Sequence, residues 1–281
     1  EFRRVLFRSI ENASTDFELR DRQLSSRLEM IYPTGRASLT ASADVFGEPV
    51  SFNTQGRIRG LSPFELAGLD TLDGSLSMRF DVSGQGQNFS SMTVDGTVSA
   101  GNTQLENVSV DSLYAKVAYH DRSLQTDTLV LESNVVDLGA AGLLALPHSP
   151  RSSAFRFAGS INTLEPLGQL TGFAGLRGTG QLSGSVVDAS ETMRLDIEST
   201  LSNLTYGTMG AARAEVRLLG EYEEHLALNV QTSVNAFSAA TLVIDRVTAE
   251  IFYGREDATF DTRWIIDGER EGLFRGRVDL R

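Results

Sequence analysis

Apolar residues recur at every second position along most of this chain, a period that buries one side of a strand and cannot serve a helix. Leu76, Met78, Phe80 and Val82 alternate with Ser, Arg and Asp. The same beat runs through Leu113, Ala115, Val117 and Tyr119, through Met193, Leu195 and Ile197, and through Leu226, Leu228 and Val230. It continues in Val247, Ala249, Ile251 and Tyr253 and in Phe260, Thr262, Trp264 and Ile266. Ser83-Gly-Gln-Gly86, Ala100-Gly-Asn102 and Asp267-Gly268 read as the turns between segments. Helical spacing is confined to Ser62–Leu69 and Glu165–Thr171, each opening near a proline suited to a first helical turn. Residues 13–31 fit either period. The chain is expected to be all-β and antiparallel, with few or no helices.

With 41% hydrophobic residues the sequence is too apolar for a disordered chain. A net charge of −12 opposes binding to a phosphate backbone, so no nucleic-acid partner is expected. The absence of cysteine excludes disulfides, thiolate metal sites and thiol catalysis. Lys116 is the sole lysine among 25 basic side chains, a bias of source and not of chemistry.

The pattern also repeats. Gly56-Arg-Ile58-Arg-Gly-Leu61-Ser-Pro63 and Gly159-Ser-Ile161-Asn-Thr-Leu164-Glu-Pro166 share one arrangement, G-x-I-x-x-L-x-P, and each leads into a strand reading G-x-L-S. Val110–Tyr119 matches Ile244–Tyr253, and Ala214-Glu-Val216 echoes their centre. Repeats of this kind imply stacked units sharing a continuous core. Glu1–Ser9 back-translates onto a common sequencing adapter and is read as an artefact outside the fold. The expected organisation is therefore a first β-repeat region over 10–146, a linker over 147–154 and a second region over 155–281. Both ends are expected to belong to a longer protein.

A one-sided sheet must cover its apolar face. About eighteen strand-like segments with almost no helix would make an open sheet roughly 85 Å long at ~4.8 Å per strand. Such a sheet is expected to curl, apolar face inward, into a long groove (a β-taco shape).

The run Ile161–Gly184 resembles the recurring linker-and-strand unit of the AsmA-like family, which includes TamB of the translocation and assembly module. Leu201–Gly207, leading into Ala214–Leu218, is similar to the strand pairs that follow it there. The resemblance covers about residues 35–281 and rests on pattern and repeats, without a catalytic signature. It implies an envelope protein in the periplasm of a diderm bacterium, anchored in the inner membrane. It further implies phospholipid transport to the outer membrane and outer-membrane protein assembly beside a barrel partner.

Sites of chemistry are sparse. His120, His148 and His225 lie in separate contexts, none with a partner at metal-ligand spacing. Asp121 and Glu132 pair with His120 or His225 only on paper. Gly175-Leu-Arg-Gly-Thr-Gly180 has the wrong spacing for a dinucleotide loop and reads as a turn. Neither an enzyme, a cofactor nor a metal site is expected.

The groove wall is therefore the one candidate surface. Its lining is expected from Leu76, Met78, Phe80, Leu113, Val117, Tyr119, Leu182, Val186, Leu195, Ile197, Val216, Leu218, Leu226, Leu228, Val230, Ile251, Trp264 and Ile266. Phospholipid or another acyl-chain lipid would fill it, since each buried methylene contributes about 0.8 kcal/mol. The alternative is a structural or adhesive β-repeat protein whose apolar face packs into a closed core without lipid.

Overall fold

The computed structural model describes residues 10–63, 73–146, 149–189, 192–223, 225–255 and 257–279. The adapter-like residues 1–9, His148 and most of the Ser62–Leu69 segment lie outside them. The strands are β1 (Asn12–Arg20), β2 (Gln23–Ile31), β3 (Arg36–Asp44), β4 (Ser51–Leu61), β5 (Gly74–Gln85), β6 (Thr93–Leu105), β7 (Val108–His120), β8 (Ser123–Ser133) and β9 (Val136–Ala145). They continue as β10 (Ala154–Ile161), β11 (Arg177–Ala189), β12 (Thr192–Tyr206), β13 (Met209–Tyr222), β14 (Leu226–Ala239), β15 (Leu242–Tyr253), β16 (Asp257–Ile266) and β17 (Arg270–Asp279). A short helix, α1 (Glu165–Leu170), carries Pro166 in its first turn, as its sequence predicts. Residues 13–31 resolve into β1 and β2.

The chain divides into two units. Unit 1 takes in the chain through Asn134 together with Gly139–Arg151, and unit 2 takes in Val135–Leu138 and the chain from Ser152 onward. In unit 1 each strand from β1 to β8 pairs antiparallel with the next. Unit 2 repeats the arrangement from β10 to β17. Two-residue loops make this meander possible. Asp21-Arg22 and Asp121-Arg122 place both residues at positive φ, and Ala240-Thr241 places its first there, the backbone whose twist matches that of the flanking strands. Asp267-Gly268 is a turn, as expected. Ala100-Gly-Asn102 is not: it lies inside β6, where Asn102 at φ 52° makes an irregularity in a continuing strand. Gly84 likewise lies within β5, before the turn read from its neighbours.

The registers sort the side chains into two faces. In unit 2, Leu195, Gly220, Leu228 and Tyr253 form one cross-strand row and Ile197, Leu218, Val230 and Ile251 the next. On the other side run Glu198, Arg217, Gln231 and Glu250. Within unit 1, Gly56, Phe80, Val98 and Ala115 share the apolar face, while Gln55, Asp81, Thr97 and Lys116 share the polar one.

The expected apolar groove is not formed. The sheet is neither closed nor strongly curled, and among the described residues no register returns β8 to β1 or β17 to β10. Three described hollows, of about 610, 360 and 230 Å³, are lined chiefly by polar-face side chains. The described hollows therefore give no apolar groove. Aromatic–glycine pairing supplies a physical reason. Phe80 lies over Gly56, Phe52 over Gly84, Phe157 over Gly184, Phe260 over Gly276 and Trp264 over Gly272, each pair directly opposed across two strands. A ring lying flat on a neighbouring backbone covers apolar area in place, without any need for the sheet to roll around it.

Among the described residues there is no thick core either. The buried apolar residues among those described are Tyr32, Ala37, Leu61, Ala115, Val135 and Ala214. Tyr32, Ala37 and Leu61 form one small cluster in unit 1, backed by Ile10, Met30 and Ile58.

Candidate functional site

The eighteen residues expected to line a groove are placed by the registers on the apolar faces of their units. In unit 1, Met78, Phe80, Leu113, Val117 and Tyr119 share that face, and Leu76 opposes buried Leu61 across β4 and β5. In unit 2, Leu182, Val186, Leu195, Ile197, Val216, Leu218, Leu226, Leu228, Val230, Ile251, Trp264 and Ile266 share one face. Leu226 and Ile251 are exposed, at 48% and 45%, and the remaining sixteen are half-buried. A closed core requires its wall to be sealed, and none of these residues is.

Both expected functions fail on this surface. Lipid shielding needs an enclosing apolar groove, and the adhesive alternative needs a packed interior; neither is present. Large apolar side chains are also exposed on the opposite face, including Tyr114, Val130, Phe252 and Leu273, so the amphipathic contrast is weaker than the alternation suggested. Phe52 and Phe157 were missed as members of the apolar face. Their signal is an aromatic residue whose antiparallel partner is glycine, visible in the sequence only once the register is known.

The polar face carries the more specific arrangement. In unit 2 it is a lattice of alternating charge. Arg217 donates from Nη2 to Asp196 at 2.8 Å and lies 3.6 Å from Glu198, its directly opposed partner in β12. Arg194 pairs with Glu221 at 3.1 Å, Arg213 with Glu215 at 2.9 Å and Arg277 with Asp257 at 2.8 Å. Asp261 receives Arg275 at 2.6 Å and Arg263 at 3.6 Å. Two of these pairs, Arg217–Glu198 and Arg263–Asp261, line a hollow of about 610 Å³ together with Glu215, Gln231 and Glu250.

Electrostatics within the hollow follow from these contacts. Hydrogen bonds to Asp196, and then its charge, hold the Arg217 guanidinium above arginine's ordinary pKa. The Glu250 carboxyl is held below the usual carboxylate range because the Asn229 and Gln231 amides donate to it at 3.0 and 3.2 Å. Buried Asn229 Oδ1 has no hydrogen-bond partner, the one such side-chain atom found among the described residues. Every arginine lining this hollow has a carboxylate partner, so the hollow is internally neutralised.

Unit 1 differs. Arg36 opposes Arg59 across β3 and β4, and Arg57 opposes Arg79 across β4 and β5. All four are exposed on the polar face. Two adjoining hollows, of about 360 and 230 Å³, share Ser38 and Arg57 in their linings. Their carboxylates are engaged elsewhere: Glu29 by Arg27 at 2.6 Å, and Asp81 by the Gln55 amide at 3.0 Å. Like charges placed directly opposite destabilise a sheet. In the sequence only Arg57-Ile58-Arg59 points to this cluster, by setting two cations on one face of a strand; Arg36 and Arg79 join them through the register.

Among the described residues the titratable groups singled out in the sequence do not converge. His120 Nδ1 lies 2.6 Å from Asp121 and 3.4 Å from Arg151, an exposed contact at the β7–β8 turn. Glu132 accepts from Ser112 at 2.9 Å, away from either histidine. Gly175 stands in a turn, and Gly178 and Gly180 belong to β11. Among the described residues no three His, Cys, Asp or Glu side chains are grouped to hold a metal ion.

Compared with known proteins, the chain matches no family model, no curated protein and no solved structure.

Proposed function

We propose that this chain is a non-catalytic scaffold segment of AsmA-like type, working in the periplasm of a diderm bacterium. The observation that carries the reading is the uninterrupted neighbour-to-neighbour pairing inside each unit, from β1 to β8 and from β10 to β17. A meander of this kind transmits position through backbone hydrogen bonds, and it lengthens by adding hairpins without a new core. That property suits a protein whose task is to hold other envelope components in place. The repeated strand sequences, Val110–Tyr119 in β7 and Ile244–Tyr253 in β15, support it. The proposed partners are envelope components: phospholipid, met from the aqueous side, and an outer-membrane barrel protein.

The test separates scaffold from catalyst. In cells that depend on the gene, fractionation is expected to place the chain in the periplasm. A combined His120→Ala, Asp121→Asn and His225→Ala variant preserves envelope integrity, read as detergent sensitivity. Leu218→Pro, which removes a ladder hydrogen bond in the middle of β13, abolishes it. Loss of function in the triple variant with its strand content intact, or a cytoplasmic location, would overturn the proposal.

A further inference from the structure

Four arginines of unit 1 stand apart from the arginines of the charge-paired lattice in unit 2. Arg217, Arg213 and Arg263 each have a carboxylate within 4 Å, whereas among the described residues Arg36, Arg57, Arg59 and Arg79 have none. The contrast arises inside a chain whose net charge is −12, where carboxylates outnumber basic groups. The arrangement also opposes sheet stability, since both cross-strand pairs, Arg36–Arg59 and Arg57–Arg79, set like charges face to face.

Geometry brings the four together. Arg57 and Arg59 are two positions apart on β4 and project on one side, with Arg36 and Arg79 on the strands to either side. With ~4.8 Å between strands and ~6.8 Å between alternate residues, the four Cα atoms fall within roughly 12 Å. The register between β4 and β5 shifts after Ile58, and Gly60 adopts φ 66° there. Arg59 consequently has no opposed residue on β5. Ser38 stands opposite Arg57 on β3 and contributes a hydroxyl to both hollows. Partial loss of hydration, together with the positive charges of Arg59 and Arg79, holds the Arg57 guanidinium below arginine's ordinary pKa.

We infer that Arg36, Arg57, Arg59 and Arg79 form a binding site for a phosphate-bearing anion on the polar face of unit 1. Planar guanidinium forks match tetrahedral phosphate oxygens by paired N–H donors, and several converging forks with a hydroxyl between them are the usual composition of such sites. A bound phosphate anion offsets part of the cross-strand repulsion and so stabilises the sheet on which it sits. The anion is a phosphate monoester or diester, supplied either as a lipid headgroup or as a small soluble phosphate. This inference stands on unit 1's charges alone. The triple variant that tests the scaffold reading leaves these arginines untouched, so either proposal fails separately.

The experiment titrates the full chain with inorganic phosphate and with glycerol 3-phosphate by calorimetry. Co-sedimentation is measured in parallel with phosphatidylglycerol vesicles and with vesicles of phosphatidylcholine alone. Two double variants are compared, Arg57→Gln with Arg79→Gln and Arg36→Gln with Arg59→Gln, each checked for native β content. Arg213→Gln with Arg263→Gln, taken from the charge-paired lattice of unit 2, serves as control. Saturable binding is expected in the wild type, weakened about tenfold or more in either unit 1 variant and unchanged in the control. Binding to the soluble phosphates identifies a soluble ligand; binding confined to phosphatidylglycerol vesicles, with the same variant dependence, identifies a headgroup. Binding by no probe, or equal loss in the control variant, would overturn the site.

Discussion

Trp264 in β16 and Gly272 in β17 are directly opposed, and the indole lies so close over the glycine backbone that a Cβ there would stand 2.1 Å from the ring. Phe260 and Gly276 repeat the relationship four residues away in each strand, again at 2.1 Å. In β4 and β5 the partners are exchanged, so that each strand contributes one ring and one glycine. Half-exposed rings thus gain cover from the backbone next door, which is how a sheet without a sealed core still shields its largest apolar groups.

Gly272→Ala is therefore expected to destabilise unit 2 by about 1–3 kcal/mol, because the indole must leave its place. Urea unfolding measures the change. In a Trp264→Ala background the same substitution should cost much less, the non-additivity expected of groups in contact. Additive effects would show that the ring does not rest on the glycine.

Ala240 adopts φ 52° in the loop between β14 and β15, a left-handed conformation that costs a side chain with a Cβ. Ala240→Gly removes that cost at the expense of some unfolded-chain entropy. The net gain is expected to be about 0.5–1 kcal/mol, seen as a higher thermal midpoint. An unchanged or lower midpoint would place the loop in another turn type.

Glu250 links the polar face to pH. Its folded pKa is depressed, so the amide hydrogen bonds from Asn229 and Gln231 contribute stability above the carboxyl's ordinary range, near 4.5, and that contribution is lost as pH falls through the lower folded value. The stability difference between wild type and Glu250→Gln should be full at neutral pH and should shrink in acid. Unfolding curves across the acid range check this, and a constant difference would contradict it. Directly opposed Asp261 works against the depression, and its contacts with Arg275 and Arg263 limit the opposition.

Arg217→Gln leaves Asp196 and Glu198 without their shared cation. The variant should unfold at lower urea, and the gap should narrow in molar salt, because these side chains are solvent-exposed and screened. A salt-independent loss would mean that packing of the arginine stem, and not its charge, is what counts.

Much of this architecture was legible in one dimension. Alternation at Leu195-x-Ile197 and Leu228-x-Val230 marks strands because side chains in an extended backbone leave on opposite sides at every step. Proline near the start of Glu165–Leu170 marks the one short helix that lies within the described residues. Glycine misled where it serves two purposes: Gly84 and Gly101 look like turn residues, yet both lie inside strands, Gly84 beneath the ring of Phe52. Whether the sheet would roll up was not legible at all. An apolar stripe says which residues avoid water, but not whether they do so by rolling the sheet or by lying down on it.

By itself, then, the order of residues determined strand identity, the two-faced pattern and the antiparallel meander, since these follow from local backbone geometry and short loops. Tertiary structure alone decided which glycine meets which ring, and that Arg36, Arg57, Arg59 and Arg79 stand together with no carboxylate paired to them among the described residues, while Arg217 is paired with Asp196 and Glu198. The reason is register: cross-strand partners lie up to dozens of residues apart in the chain, and shifting one strand by a single residue would exchange every neighbour on both faces.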